Sequence, residues 1–320
     1  MLRFYFVFLV ALSSSILLGF PILSLCKRLK MKQTILHYVD NHTGKNGTPT
    51  MGGMIFLFGA LFACAFFLKD DASLFLISLL VMMAYAFLGF LDDFIKIRFQ
   101  KNEGLKPYQK IIGQVGIALI LAIFVYYKLG SDLSFFGYKL DLGFFIIPFV
   151  VIFYVAVTNA VNLVDGLDGL CSGVSLIYLL FFGLILAVCL KEDNLAVICF
   201  AMVGALLGFL LFNGFPAKIF MGDTGSLGLG GLIASIAVMS KLELVMPVVG
   251  IMFVLTAASD VLQVGYYKMT HKRIFKMAPL HHHFERSGVH ENRIVAVYIV
   301  ITIIAGLSAL VGYMAATGVL

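Results

Sequence analysis

The sequence predicts an all-α polytopic membrane protein, and three observations carry that reading. Of 320 residues, 61% are hydrophobic and only 12% charged. Mean hydropathy is +1.03, far above what a water-soluble domain of this length carries. The apolar residues fall in blocks of about 20, the length needed to cross a bilayer as a helix. A chain of this length could otherwise be divided among two or three soluble domains. Hydropathy overrides that division and gives one integral membrane domain over residues 1–320.

Ten spans follow in order, at about 3–25, 51–68, 73–91, 110–127, 143–163, 170–190, 195–212, 224–240, 244–266 and 294–318. The first is too long for a signal peptide and has no small-residue cleavage pattern before a polar chain, so it counts as helix one. Orientation comes from Lys and Arg. The loops after spans 1, 3, 5, 7 and 9 hold 17 of the 23 basic residues, and the termini and remaining loops hold 6. By the positive-inside rule the first set faces the cytoplasm and both termini lie outside. The +6 charge is therefore topological. It favours anionic headgroups and phosphates and gives no reason to expect nucleic acid. Five cysteines lack metal or redox spacing and read as small buried hydrophobes. Gly222, Gly225, Gly228, Gly230 and Gly231 crowd one segment. Close helix packing explains the later ones, and a backbone that approaches a phosphate is an equal reading for Gly222 and Gly225.

Five polar clusters all fall on the cytoplasmic loops. Asp92 and Asp93 end the third span, where acids are costly and have the wrong sign for a helix C-terminus. Adjacent carboxylates there call for a cation, either a metal or Lys96 one turn on. Asn159, Asn162, Asp165 and Asp168 step by three along the inner end of span five, and Gly166 and Gly169 loosen the backbone beyond it. Asp223 opens a long apolar helix, with Asn213 and Phe220 in the same loop. The acid suits an N-cap, and the aromatic is either packing or a shelf for a nucleobase. His281, His282 and His283 are consecutive, so their side chains diverge. They suit phosphate oxygens better than one shared metal. Lys45 and Thr50 lie in a Gly- and Thr-rich loop that resembles a phosphate grip without being a Walker motif. Asp260 lies within span nine, and its role stays open. Carboxylates, lysines and an aromatic beside an amide fit Mg²⁺-assisted phosphoryl transfer from a soluble nucleotide diphosphate to a lipid.

These motifs resemble the polyprenyl-phosphate N-acetylhexosamine-1-phosphate transferase superfamily, and within it the phospho-N-acetylmuramoyl-pentapeptide transferases. The resemblance runs through Gly44-Lys45 to Gly52-Gly53, Asp92-Asp93, Asn162 to Gly169, Asn213 to Gly225, Gln263-Val264-Gly265 and Met277 to Glu285. The last segment is the most specific, because sister enzymes that use UDP-N-acetylglucosamine share the acids but not the triple His. The resemblance implies ten helices in a bacterial inner membrane, often a homodimer, and Mg²⁺-dependent transfer at the cytoplasmic face. UDP-N-acetylmuramoyl-pentapeptide and undecaprenyl phosphate would give lipid I and UMP, the first membrane step of peptidoglycan synthesis. By matching position, Asp92 or Asp93 would activate the lipid phosphate. Asp165 and Asp223 would hold Mg²⁺, with Asp168 at the same centre. Asn213 and Phe220 would bind uridine. Lys45, Lys96 and His281–His283 would bind phosphate or sugar, and Thr50, Asn162 and Gln263 would line the substrate site. The family's broken ninth helix carries an acid near Thr256, whereas this chain has Asp260 one turn later. An ion-coupled transporter is the rival from another class. It would place its acids near the bilayer midplane, not at the inner helix ends.

Overall fold

The computed structural model describes residues 2–29, 31, 47–67, 73–99, 104–135 and 138–319. In chain order the helices are α1 (Leu2–Arg28), α2 (Gly53–Phe66), α3 (Ser73–Phe99), α4 (Pro107–Lys128), α5 (Ile146–Val164), α6 (Leu170–Leu184), α7 (Asp193–Asn213), α8 (Gly222–Met239), α9 (Met246–Val249), α10 (Ile251–Thr270), α11 (Leu280–Glu285) and α12 (Glu291–Thr317). A short antiparallel hairpin, β1 (Asp132–Phe135) and β2 (Tyr138–Asp141), lies between α4 and α5. Among the described residues eight helices are long and apolar enough to cross a membrane. The protein is thus a multi-pass, all-α membrane protein. Of the other two expected spans, one appears as the 14-residue α2. The other is broken at Gly250 into α9 and α10.

Two boundaries depart from the sequence reading in ways that matter for the site. Helix α3 runs on to Phe99, so Asp92 and Asp93 lie almost two turns inside it and not at its end. Its last turn carries Lys96 and Arg98, a favourable sign for the dipole. The cost of the acid pair therefore comes from burial and mutual repulsion. The hairpin was also not foreseen, because four-residue strands are too short to give a period-2 pattern.

The molecule is organised around α8. Almost all of this helix is buried, an unusual position for one whose first turn carries an acid. Its small residues allow this. A β-carbon on Gly228 would meet Ala86 of α3 at 2.9 Å, on Gly230 the backbone of Thr158 of α5 at 2.8 Å, and on Gly231 the ring of Tyr85 at 2.7 Å. Gly53 of α2 and Gly225 of α8 touch backbone to backbone. Without an apolar driving force between helices in lipid, such close approach supplies the packing energy. Helix α7 is packed against α1 in the same way, with Gly204 and Gly208 seated on the carbonyls of Phe8 and Leu12. Four of the five cysteines are buried and all five are free.

Close packing of α2 on α8 leaves no room for a methyl group. Gly53→Ala is expected to lower stability by about 1–3 kcal/mol, the usual cost of overpacking. Thermal unfolding in detergent checks this, and an unchanged Tm would mean that the helices can separate freely at that crossing.

Candidate active site

Helix α8 brings its N-terminus against α3, and Asp93 is what fixes it there. The Asp223 amide donates to Asp93 Oδ1 at 3.2 Å. The Thr224 amide and hydroxyl donate to Oδ2 at 2.8 and 2.7 Å. Asp93 thus satisfies free N–H groups of the first turn of α8 from another helix, as an N-cap side chain would within one. The fit needs a glycine on each side. A β-carbon on Gly89 would collide with the Asp223 carbonyl, and Gly222 adopts φ +75° with Asp93 and the Thr50 hydroxyl close by. Left-handed backbone of this kind favours glycine.

Asp223 itself is the hub. Its Oδ2 accepts from Lys96 Nζ at 2.8 Å and from Lys110 Nζ at 2.9 Å. Its Oδ1 accepts from Asn162 Nδ2 at 2.7 Å, and Asn162 also donates to Ser226 Oγ. Lys96 pairs in addition with Asp92 Oδ2 at 2.6 Å, and Asp92 Oδ1 accepts from the Leu105 amide at 2.8 Å. Carboxylate oxygens of Asp92, Asp93 and Asp223 lie within 4.8 Å of one another. Helices α3, α4, α5 and α8 therefore converge on one carboxylate.

Asp165 caps α5 beside this cluster. Although partly exposed, it lies deep among protein atoms. Its pKa is pushed up to about 8, first by desolvation and then by the charges of Asp223, Asp93 and Asp168. Burial and the nearby carboxylates together make the charged form of Asp165 costly. Among the described residues the closest acid triad is Asp92, Asp93 and Asp223. Asp165 enters through its field.

Other expected site residues are placed differently. Asp168 Oδ2 accepts from the Ala217 amide at 2.9 Å, and its own amide donates to Glu291. Asn213 is buried, accepts from Ser172 Oγ at 2.8 Å and donates to the Ile219 carbonyl at 3.1 Å. Both residues hold the loop 214–221. Phe220 rides on that loop, half-buried, with its backbone paired to Pro49 and Gly52. The 49–53 segment is thereby tied to the start of α8. The Thr50 hydroxyl is buried there with no hydrogen-bond partner among the described residues. Gln263 takes the Ile274 and Phe275 amides and donates to the Phe275 carbonyl, so it shapes the turn before the histidines.

The three histidines do separate work. His283 Nδ1 accepts from the Lys276 amide at 3.1 Å, and His282 pairs with Glu285 at 3.0 Å. His281 is wholly buried with neither nitrogen hydrogen-bonded. It presses on Gly166, next to Asp165, where a β-carbon would collide with it. Burial, then the neighbouring His282, hold its pKa down to about 3, so it is neutral across the physiological range. Lys45 lies outside the described residues. Asp260 is half-buried on α10 and makes no hydrogen bond or ion pair among the described residues.

Sequence reading missed Lys110. It opens α4 after Pro107 and looks like one more basic residue of a cytoplasmic loop. Only tertiary packing brings it to Asp223. Gln114 and Asn159 pair between helices, at 2.7 Å and 3.4 Å. An Asn inside an apolar helix needs such a partner.

Residues 74–241 match the family model described as glycosyl transferase family 4. Proteins named phospho-N-acetylmuramoyl-pentapeptide-transferase align over nearly the whole chain. The one from Clostridium perfringens (strain 13 / Type A) is 43% identical over 291 residues, 90% of this chain and 92% of its own. That from Clostridium novyi (strain NT) is 40% identical over 311 residues, 96% and 94%. That from Clostridioides difficile (strain 630) is 41% identical over 301 residues, 92% and 93%. The chain belongs to the phospho-N-acetylmuramoyl-pentapeptide-transferase family. Family membership spans every element that contributes to the Asp223 hub. The matched range 74–241 includes Asp92, Asp93, Lys96, Lys110, Asn162 and Asp223.

Lys110→Met removes one of two ammonium groups from a partly buried carboxylate. Turnover is expected to fall on the order of 100-fold, as for loss of one preorganised electrostatic group, with the protein still folded in detergent. Full turnover would reduce Lys110 to a bystander.

Proposed function

We infer that the protein transfers phospho-N-acetylmuramoyl-pentapeptide from its UDP-linked form to undecaprenyl phosphate in a bacterial inner membrane, giving lipid I and UMP. The observation that carries this is the convergence of Asp92, Asp93 and Asp223 with Lys96 and Lys110 at the head of a buried helix. It comes in a chain whose relatives bear that enzyme's name. Spans open toward the cytoplasm at that end, and ten helices cross the bilayer with both termini outside, as the basic-residue count expects.

Mg²⁺ fits the donor set. The clustered groups are hard carboxylate oxygens, the kind this ion takes alongside substrate phosphates, and the pKa of Asp165 is raised first by burial and then by the neighbouring carboxylates. Asp223 would hold the ion, with Asp165 and Asp92 beside it. When bound, the metal neutralises the diphosphate and stabilises the departing phosphate.

The chain's own groups divide the remaining tasks. Asp93 has both oxygens engaged at the start of α8, so it positions Asp223. Asp92 pairs with Lys96 through its Oδ2 and lies against the Asp223 carboxyl, and it is the acid placed to take a proton from the lipid phosphate. Lys96 and Lys110 already share one oxygen of Asp223, so either can turn to a phosphate without leaving that oxygen bare. Phe220 offers a face to the uracil ring. Asn213 and Asp168 fix the loop that carries Phe220. Neutral His281 gives His282 and His283 a rigid base from which to meet phosphate or sugar oxygens.

UMP release in detergent with polyprenyl phosphate tests the assignment. UDP-N-acetylmuramoyl-pentapeptide should release UMP, UDP-N-acetylglucosamine should not, and EDTA should abolish release until Mg²⁺ is restored. Equal release from both sugars would point to a sister transferase, and release in EDTA would remove the metal. Orientation is tested separately. Cysteine placed at Ser131 should react with an impermeant label in intact cells, and cysteine at Ser287 only after permeabilisation. The reverse pattern would put the acid cluster outside.

A further inference from the structure

The far end of α8 carries a second buried acid that the transfer reaction does not use. Glu243 lies in the turn between α8 and α9. It is 1% exposed, and among the described residues its carboxylate oxygens meet no partner beyond its own backbone amide. With 18 residues in α8, the turn sits about 27 Å along the helix from Asp223, at the opposite end of the bundle. The nearest cation, Lys241, is two residues away and spent elsewhere. Its ammonium donates to the carbonyls of Gly130 and Asp132, each at 3.0 Å, and to Asp132 Oδ1 at 3.5 Å. An ammonium has three protons, so these contacts use its full capacity. They tie the α8–α9 turn to the hairpin β1–β2. Asp132 lies on that hairpin, with Lys139 at 3.9 Å from its other oxygen.

The groups that face Glu243 can be named. Lys241 stands on its own turn, Asp132 on β1 and Tyr154 on α5. Ser235 of α8 and Tyr154 bury hydroxyls that face each other. A bare carboxylate in such a place is costly, so the group stays neutral until the pH forces it to ionise. Once charged, it attracts Lys241, the cation whose charge acts on it.

We propose that Glu243 and Asp132 compete for Lys241, so that loss of the Glu243 proton draws Lys241 off the hairpin and frees β1–β2 from the α8–α9 turn. The proton passes from the carboxyl to bulk water at that end, and no other bond is made or broken. The result is a proton-operated latch at the end of the bundle opposite the acid cluster.

The sign of the pH dependence follows. Burial raises the Glu243 pKa from 4.5 to about 7. Unfolded chain loses this proton near 4.5, while the folded protein keeps it to about 7. Stability from this group is therefore complete below 4.5, falls as pH rises to about 7, and is flat above that. Glu243→Gln is uncharged at every pH and should erase this component.

Thermal unfolding in detergent between pH 4.5 and 8, together with amide exchange of residues 132–135 and 138–141, tests the latch in the full-length protein. The parent should lose Tm relative to Glu243→Gln as pH rises, and its hairpin amides should exchange about tenfold faster than those of the variant at pH 8, after correction for the intrinsic rate. One pKa unit corresponds to such a factor. Parallel Tm curves, or identical hairpin protection in the two proteins, would overturn the proposal. If Glu243→Gln fails to fold, the parent alone decides. A loss of protection above pH 7 confined to the hairpin, with α8 unchanged, supports the latch. Loss shared equally by α8 contradicts it.

Discussion

The carboxylate of Asp223 is the constraint around which the site is arranged. A carboxylate buried at the start of a core helix requires compensation, and this one receives it from three other helices. Lys96 comes from α3, Lys110 from α4 and Asn162 from α5. Asp93 then holds the backbone that carries it. Each contact also fixes a helix relative to its neighbours, so the arrangement that makes the site is the one that sets the inner end of the bundle. Preorganised charge of this kind favours phosphoryl transfer, in which little covalent work falls to the protein and positioning does most of it.

Glycine makes the hub possible. Helix α8 reaches the middle of the bundle because Gly225, Gly228, Gly230 and Gly231 let α2, α3 and α5 approach its backbone. The same device recurs at the chemistry. Gly89 admits the Asp223 carbonyl and Gly166 admits His281. Bundle packing and the acid cluster thus share one requirement, absence of a β-carbon where two elements meet. A substitution at these positions would act on both.

Much of the architecture was legible in sequence because bilayer thickness converts directly into apolar block length. The polar interruptions were legible for the complementary reason, since lipid makes an unpaired acid or amide costly. Spacing placed Asn159, Asn162 and Asp165 at one helix end, and Asn162 indeed reaches the hub. Spacing could not assign partners. Lys110 is indistinguishable from its basic neighbours until α4 packs against α3. Asn213, Gln263 and Asp168 have the residue types of ligand contacts, and their partners within the protein, the Ile219 carbonyl, the Phe275 carbonyl and the Ala217 amide, appear only once the chain is folded. Extension of α3 beyond Asp93 was invisible too, because hydropathy falls at the acids while helical geometry continues. Glu243 lies outside every polar motif and gains its character only from burial.

The central claim is that positive charge belongs at Asp223, shared between two lysines and a divalent ion. Anomalous diffraction from crystals of the protein soaked in Mn²⁺ tests it most directly. The account predicts one peak against the Asp223 carboxylate, bordered by Asp92 or Asp165, and its loss in Asp223→Asn. A peak at His281–His283 instead, or none at Asp223 in a preparation that Mn²⁺ activates, would contradict it.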